Sequence, residues 1–277
     1  TAKQIATSNS VQVLRAGIWK PRTKPGNFEG VGAEGLKWMQ EAKEITGLPY
    51  TVEVAKASHV EEALKHEADI LWLGARTTVN PFSVQEIAEA LEGVDIPVFI
   101  KNPINPDIDL WLGAFERMEK VGLTKLAAIH RGFSKFGETY YRNAPMWHIP
   151  IELKRLRPDL PLICDPSHIC GRRDTIQEVS QYAANLDFNG LMIETHIQPD
   201  EAWSDAKQQI TPNRLKELLE ELTWRDNNGI QGLAELREHI SLIDDELLQL
   251  LSKRMEIADQ IGLYKKEKNL SILQTEP

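Results

Sequence analysis

Short apolar runs rich in β-branched residues alternate along this chain with longer stretches whose apolar residues recur at helical spacing. The runs at 13–19, 50–54, 70–74, 98–101, 126–130, 162–164 and 191–194 predict strands. They read as continuous apolar segments, so both faces of each strand are expected to be covered. Between them the periodicity predicts helices over 34–46, 58–67, 83–91, 107–121, 146–156, 174–184 and 212–222. Gly47 is a stop signal for the first of these. Ser58 with Glu61, and Ser83 with Glu86, have capping-box spacing. Alternating strands and helices imply a parallel sheet. The expected fold class is α/β, a (β/α)8 TIM barrel whose first strand is absent from this chain, with 1–7 as the tail of the first helix. The pattern favours an open doubly wound sheet less.

The pattern changes after residue 222. Asp226-Asn227-Asn228-Gly229 is a polar turn cluster, and 223–232 reads as a linker. From 233 to about 268 one helical pattern carries Leu236, Ile240, Ile243, Leu247, Leu250, Leu251, Ile257 and Ile261. A helix of roughly 50 Å cannot bury such a stripe alone and needs a partner. The expected organisation is a barrel over 1–222, a linker over 223–232, and the first helix of a second, all-helical domain over 233–277.

Composition narrows the function. A net charge of −9 over 277 residues argues against a nucleic-acid binder but leaves anionic small molecules open. Cys164 and Cys170 are too few for a disulfide framework and suit a reducing cytoplasm; each reads as a small buried residue. No apolar stretch is long enough to span a membrane, and 1–10 has no signal-peptide pattern. The glycines of 30–35 fit G-x-G-x-x-G but do not directly follow a strand, which argues against a dinucleotide site.

The chemistry lies at the strand ends. In order they carry Lys20 and Arg22, Glu53, Arg76, Lys101, His130 and Arg131, Asp165 and His168, and Glu194 and His196, with Asp205 soon after. In a parallel barrel these ends converge on one mouth. Lys20, Arg22, Arg76, Lys101 and Arg131 suit phosphate and carboxylate. His168, Glu194 and Asp205 are one nitrogen and two oxygen donors, a mix suited to a divalent ion acting as a Lewis acid. Arg172 and Arg173 could bind an anion or pair with Asp174.

Lys20-Pro21-Arg22-Thr23, Gly74-Ala75-Arg76, Arg131-Gly132, Asp165-Pro166-Ser167-His168 with Gly171-Arg172-Arg173-Asp174, Glu194-Thr195-His196 and Ser204-Asp205 occur in this order. The set resembles the type Iβ 3-deoxy-D-arabino-heptulosonate 7-phosphate (DAHP) synthases. The resemblance implies a barrel that condenses phosphoenolpyruvate with erythrose 4-phosphate at the head of the shikimate pathway. It implies that Lys20, Pro21, Arg22 and Thr23 bind erythrose 4-phosphate and that Arg76, Lys101 and Arg131 bind phosphoenolpyruvate. It further implies that His168, Glu194 and Asp205 ligate a divalent metal ion, Mn²⁺ or similar, with Lys101 and His168 catalytic. The family's Cys ligand, in a Gly-Pro-Cys-Ser run, is expected before Thr1, and Asn102-Pro103 stands where many members have Arg-Gly. The tail resembles the first helix of an all-helical chorismate mutase, in which Arg237, Arg254 and Lys265 would bind chorismate or prephenate. A cytoplasmic homo-oligomer is expected. The alternatives are 3-deoxy-D-manno-octulosonate 8-phosphate synthase, which the Lys20-Pro21-Arg22-Thr23 run disfavours, and a non-catalytic anion-binding regulator.

Overall fold

A computed structural model describes the chain except for residues 9, 23–25, 138–139, 225–232 and 272–277. It separates into two compact units, Thr1–Arg225 and Asp226–Pro277. In the first, α1 (Ala2–Ile5) leads to β1 (Leu14–Ala16), α2 (Glu34–Thr46), β2 (Tyr50–Val54), α3 (Ala57–Lys65) and β3 (Ile70–Leu73). Next come α4 (Ala75–Thr78), α5 (Pro81–Ala90), β4 (Val98–Lys101), α6 (Ile108–Lys120), β5 (Leu126–His130) and α7 (His148–Leu156). The unit closes with β6 (Leu162–Cys164), α8 (Pro166–Cys170), α9 (Ile176–Asn185), β7 (Gly190–Leu191) and α10 (Pro212–Glu221). The seven strands pair in parallel in sequence order. The sheet curls, so that Arg15 on β1 lies 3.0 Å from Glu194 just beyond β7.

Strand alternation divides the side chains between two layers. Leu14, Val52, Leu71, Leu73, Val98, Ile100, Leu126, Ala128, Leu162 and Cys164 pack outward with the helices in the main core. The opposite parity points inward, where Trp72, Ile129 and Met192 form a smaller buried cluster with Phe99 and Ile163 against them. The register sets Trp72 beside Phe99 and Ile129 beside Ile163. Two residues further along β2, β4, β5, β6 and β7, the same inward parity gives Glu53, Lys101, Arg131, Asp165 and Glu194. The inner face is thus apolar at its floor and ionisable at its C-terminal rim.

Helix boundaries follow the expected pattern where a terminator is local. Glu34–Thr46 ends on Gly47, whose φ of 72° is the left-handed cap conformation. The two expected capping boxes do not form. α5 starts earlier because Asn80 accepts hydrogen bonds from the Phe82 and Ser83 amides with Pro81 in the first turn. Glu86 instead accepts from the Ala57 amide, and α3 is capped at Lys56 without a side-chain bond. β1 and β7 are shorter than expected. Beyond β7 the chain stays extended, with the Met192 amide bonded to the Cys164 carbonyl. In the second unit α11 runs over Leu233–Glu267. Along it Ile240, Ile243, Leu247, Leu250, Leu251, Ile257 and Ile261 are each more than half exposed.

Candidate active site

The rim begins with Asp165, which is fully buried just past β6. It accepts from Lys101 Nζ at 2.6 Å, and its two oxygens lie 2.8 and 3.0 Å from His168 Nδ1. It also caps α8 by accepting from the His168 amide. Burial alone would raise the Asp165 carboxyl, but the His168 and Lys101 charges outweigh it and hold the group well below the carboxylate range. Burial lowers Lys101 and His168 from their ordinary values, and Asp165 opposes both shifts. With Nδ1 engaged, His168 turns Nε2 toward Glu194 Oε1, 4.0 Å away.

Glu194 is 6% exposed. It takes Arg15 at 3.0 Å on Oε1 and Gln208 Nε2 at 2.6 Å on Oε2. Burial pushes it up, and His168, Arg15 and Lys20 pull it below its ordinary value. Arg15 also lies over the Trp72 ring, 5.1 Å from its centroid, and Lys101 Nζ lies 5.9 Å from the same ring. Glu53 is raised by burial despite Lys101, Arg15, Lys20 and Arg76. Gly74 faces it so closely that a Cβ there would stand 1.9 Å from Glu53 Oε1.

On the other side Asp205, at a left-handed φ of 54°, gathers three cations. Lys20 and Arg22 approach Oδ2 at 3.3 and 3.4 Å, and Arg142 reaches Oδ1 at 3.0 Å. Burial opposes but does not cancel Lys20, Arg142 and Arg22, which depress its carboxyl. Arg142 also donates to Gln208 at 2.8 Å, linking this cluster to Glu194. Arg131 is buried at the end of β5, with Asn143 Oδ1 2.7 Å from Nη1. Burial lowers its guanidinium to about 10, with Arg142 and Arg76 adding and Asp165 opposing, so it stays charged at neutral pH.

The structure therefore brings together Lys20, Arg22, Lys101, Arg131, His168, Glu194 and Asp205, and the Arg76 charge acts on both Glu53 and Arg131. Pro21 lies in the same loop, and Thr23 falls outside the described residues. His130 lies elsewhere, whereas His196 lines a cavity shared with Lys20 and Ser204. His130 has the outward parity and sits among Phe133, Trp147 and Phe188, where burial pushes it down to about 3. His196 bonds locally to Gln198. Arg172 pairs with Asp174 at 3.1 Å, and Arg173 with Asp200 at 2.6 Å. Cys164 and Cys170 are buried free thiols, raised by that burial. In the second unit Arg237, Arg254 and Lys265 lie on α11.

His168 and Glu194 fit a divalent ion as a pair. Nε2 faces a carboxylate, and Asp165 fixes the ring through Nδ1 as an outer carboxylate does at metal sites. Asp205, the third expected ligand, faces Lys20 and Arg22 with Oδ2 and Arg142 with Oδ1. Among the described residues no group of three or more His, Cys, Asp or Glu has a metal-holding arrangement. Strand-end counting missed Arg15, Arg142, Asn143 and Gln208. Arg15 was accessible to inward parity; the other three come from loops whose course the sequence pattern leaves open.

Comparisons with known proteins follow the same division. The profile described as the DAHP synthetase I family matches residues 1–231, and that of chorismate mutase type II matches 236–276. A phospho-2-dehydro-3-deoxyheptonate aldolase of Thermotoga maritima is 31% identical over 212 residues, covering 76% of this chain and 61% of that protein. A 2-dehydro-3-deoxyphosphooctonate aldolase of a Synechococcus strain is 25% identical over 219 residues, covering 74% of each. The crystal structure of the T. maritima phospho-2-dehydro-3-deoxyheptonate aldolase (DAHP synthase) superposes with a TM-score of 0.69 at 30% identity, covering 79% of this chain and 62% of that one. A truncated T. maritima 3-deoxy-D-arabino-heptulosonate 7-phosphate synthase superposes at 0.66 and 28% identity, covering 79% and 77%. No helix among the described residues is long and apolar enough to cross a membrane.

Proposed function

We infer the function from one premise: this chain belongs to the DAHP synthetase I family. On it we propose that residues 1–222 are the barrel of a DAHP synthase, condensing phosphoenolpyruvate with erythrose 4-phosphate to give DAHP and phosphate. The observation that carries this reading is the gathering of cations at one rim: inward strand parity places Lys101 and Arg131 beside Asp165, which holds His168, and the loop after β1 places Lys20 and Arg22 on Asp205. Two phosphorylated substrates, one of them also a carboxylate, need such a set of cations.

In this reading Lys20, Pro21, Arg22 and Thr23 seat erythrose 4-phosphate, and Arg76, Lys101 and Arg131 seat phosphoenolpyruvate. C3 of phosphoenolpyruvate attacks the aldehyde carbon, water adds at C2, and phosphate leaves as the C2–O bond breaks. Lys101, hydrogen-bonded to Asp165, holds a proton beside the reacting centre. His168 Nε2 and Glu194 would hold the divalent ion, which when bound supplies Lewis-acid polarisation of the aldehyde. Asp205 would complete that set as a second carboxylate ligand. Residues 236–276 are read as a chorismate mutase segment, with Arg237, Arg254 and Lys265 binding the carboxylates of chorismate or prephenate.

The test is erythrose 4-phosphate-dependent loss of phosphoenolpyruvate absorbance, with and without Mn²⁺. It is run on this chain and on one extended through a Gly-Pro-Cys-Ser strand, with arabinose 5-phosphate in parallel. Turnover with erythrose 4-phosphate that EDTA abolishes supports the reading. Turnover with arabinose 5-phosphate alone moves it to the octulosonate reaction. Phosphoenolpyruvate binding without turnover in either arm leaves a binding protein.

A further inference from the structure

All but one of the rim cations with a described partner are matched to a carboxylate: Lys101 to Asp165, Arg15 to Glu194, and Lys20, Arg22 and Arg142 to Asp205. Arg131 is the exception. Only 7% of it is exposed, and its Nη1 donates to two neutral oxygens, Asn143 Oδ1 at 2.7 Å and the Gly132 carbonyl at 3.4 Å. Among the described residues no carboxylate lies within ion-pair distance of it. A buried guanidinium held by neutral acceptors keeps its full charge for whatever anion arrives.

We propose that Asn143 is a positioning residue for substrate-anion binding, holding Arg131 with a neutral oxygen so that its charge stays available to phosphoenolpyruvate. The proposal rests on the reading of this rim as the phosphoenolpyruvate site.

The surroundings make this a fixed arrangement. Asn143 is 8% exposed, and its Nδ2 donates to the His168 carbonyl at 2.6 Å. The nitrogen is thereby committed, and only Oδ1 is left to face Arg131. The Asn143 amide donates to the Ile169 carbonyl, and Phe133 and Ala144 exchange a pair of backbone bonds at 2.8 and 2.9 Å. Gly132, at φ +76°, lets the turn close, since a Cβ there would lie 2.7 Å from the Asn143 carbonyl oxygen. From the other side Asn102 Oδ1 accepts from the Arg131 amide at 2.7 Å, while its Nδ2 donates to the Pro103 and Gly132 carbonyls. Two buried amides thus orient Arg131 from both ends without neutralising it. A carboxylate at Asn143 would be nearly the same size but would pair with the guanidinium and compete with the ligand.

The test is calorimetric titration of phosphoenolpyruvate, and separately of inorganic phosphate, into the wild-type chain, Asn143→Ala and Asn143→Asp, each with its thermal midpoint. Asn143→Ala removes one charge-assisted hydrogen bond and is expected to weaken phosphoenolpyruvate binding about tenfold. Asn143→Asp is expected to weaken it about a hundredfold, with a midpoint no lower than that of Asn143→Ala. A purely structural role predicts equal weakening in both variants, following the loss of midpoint, and that result overturns the proposal. So does wild-type affinity in Asn143→Asp. Should Asn143→Asp fail to fold, unchanged affinity in Asn143→Ala overturns it. If the wild type binds inorganic phosphate but not phosphoenolpyruvate, the substrate reading fails, and the order of the variants for phosphate still decides the role of Asn143. Binding of neither anion sinks both.

Discussion

Replacing Asp165 by Asn tests the electrostatics on which the rim depends. The carboxylate is fully buried and engages Lys101 at 2.6 Å and His168 Nδ1 at 2.8 Å. Asparagine preserves its shape and can still cap α8, but removes the charge opposite Lys101. Leaving one member of a buried ion pair unmatched costs about 3–5 kcal/mol, which for a unit of this size lowers the melting temperature by about 6–20 °C. The pH dependence carries the sign. The Asp165 pKa is depressed in the folded protein, so its stabilisation is complete above the unfolded value of about 3.9. That stabilisation is lost as pH falls through the lower folded value. Burial lowers the Lys101 pKa, and loss of Asp165 lowers it further; the penalty therefore fades as alkaline pH discharges Lys101. Thermal unfolding followed by circular dichroism from pH 3 to 10 is expected to show the largest gap between wild type and Asp165→Asn near neutrality, closing toward both ends. A gap below about 1 kcal/mol at neutral pH, the range of an exposed pair, or one that does not vary with pH, refutes the reasoning.

The other expectations concern the same rim and its supports. Gly74→Ala puts a methyl 1.9 Å from Glu53 Oε1 and is expected to cost about 1–3 kcal/mol. Adding Glu53→Ala should recover part of that loss, and strict additivity in denaturant unfolding would exclude the clash. Arg15→Met removes a cation from Glu194 and from the face of Trp72, and is expected to cost about 3 kcal/mol in the same assay. His59 is stacked on Trp19 at 4.1 Å, and burial pulls it down to about 4, so its ring protons should titrate there by NMR and not near the ordinary 6.5. Between those values the unfolded chain binds the extra proton, so stability falls as pH is lowered, and His59→Phe should flatten that slope.

The strands were legible because burial on both faces leaves one solution for a run such as Ile70–Leu73: an inner strand of a parallel sheet. Helix starts were less so. Ser83 and Glu86 fit a capping box, yet Asn80 followed by Pro81 fixes the start of the helix a turn earlier, and Glu86 then serves the Ala57 amide of a neighbouring helix. A local spacing rule cannot anticipate a partner twenty-nine residues away.

At the site, legibility depended on which element carried each residue. Side chains on strands inherit a period of two, so the inward placement of Glu53, Lys101, Arg131, Asp165 and Glu194 follows from the apolar floor of Trp72, Phe99, Ile129, Ile163 and Met192. The same rule extended backward places Arg15 inward, one pleat below the charged rim, where it meets Glu194 across the opening of the curled sheet. His130 fails by the same rule: one residue from Arg131, it must face the helices, and its aromatic neighbours confirm the parity. Asp205, Arg142 and Gln208 obey no such period. Their positions come from loop closure, and their pairing from the charges that closure brings within reach. There Asp205 meets Lys20, Arg22 and Arg142, cations that arrive from two other loops. Residue types at strand ends therefore identify the chemistry available, whereas the partners that loop residues take depend on which charges the fold leaves uncompensated.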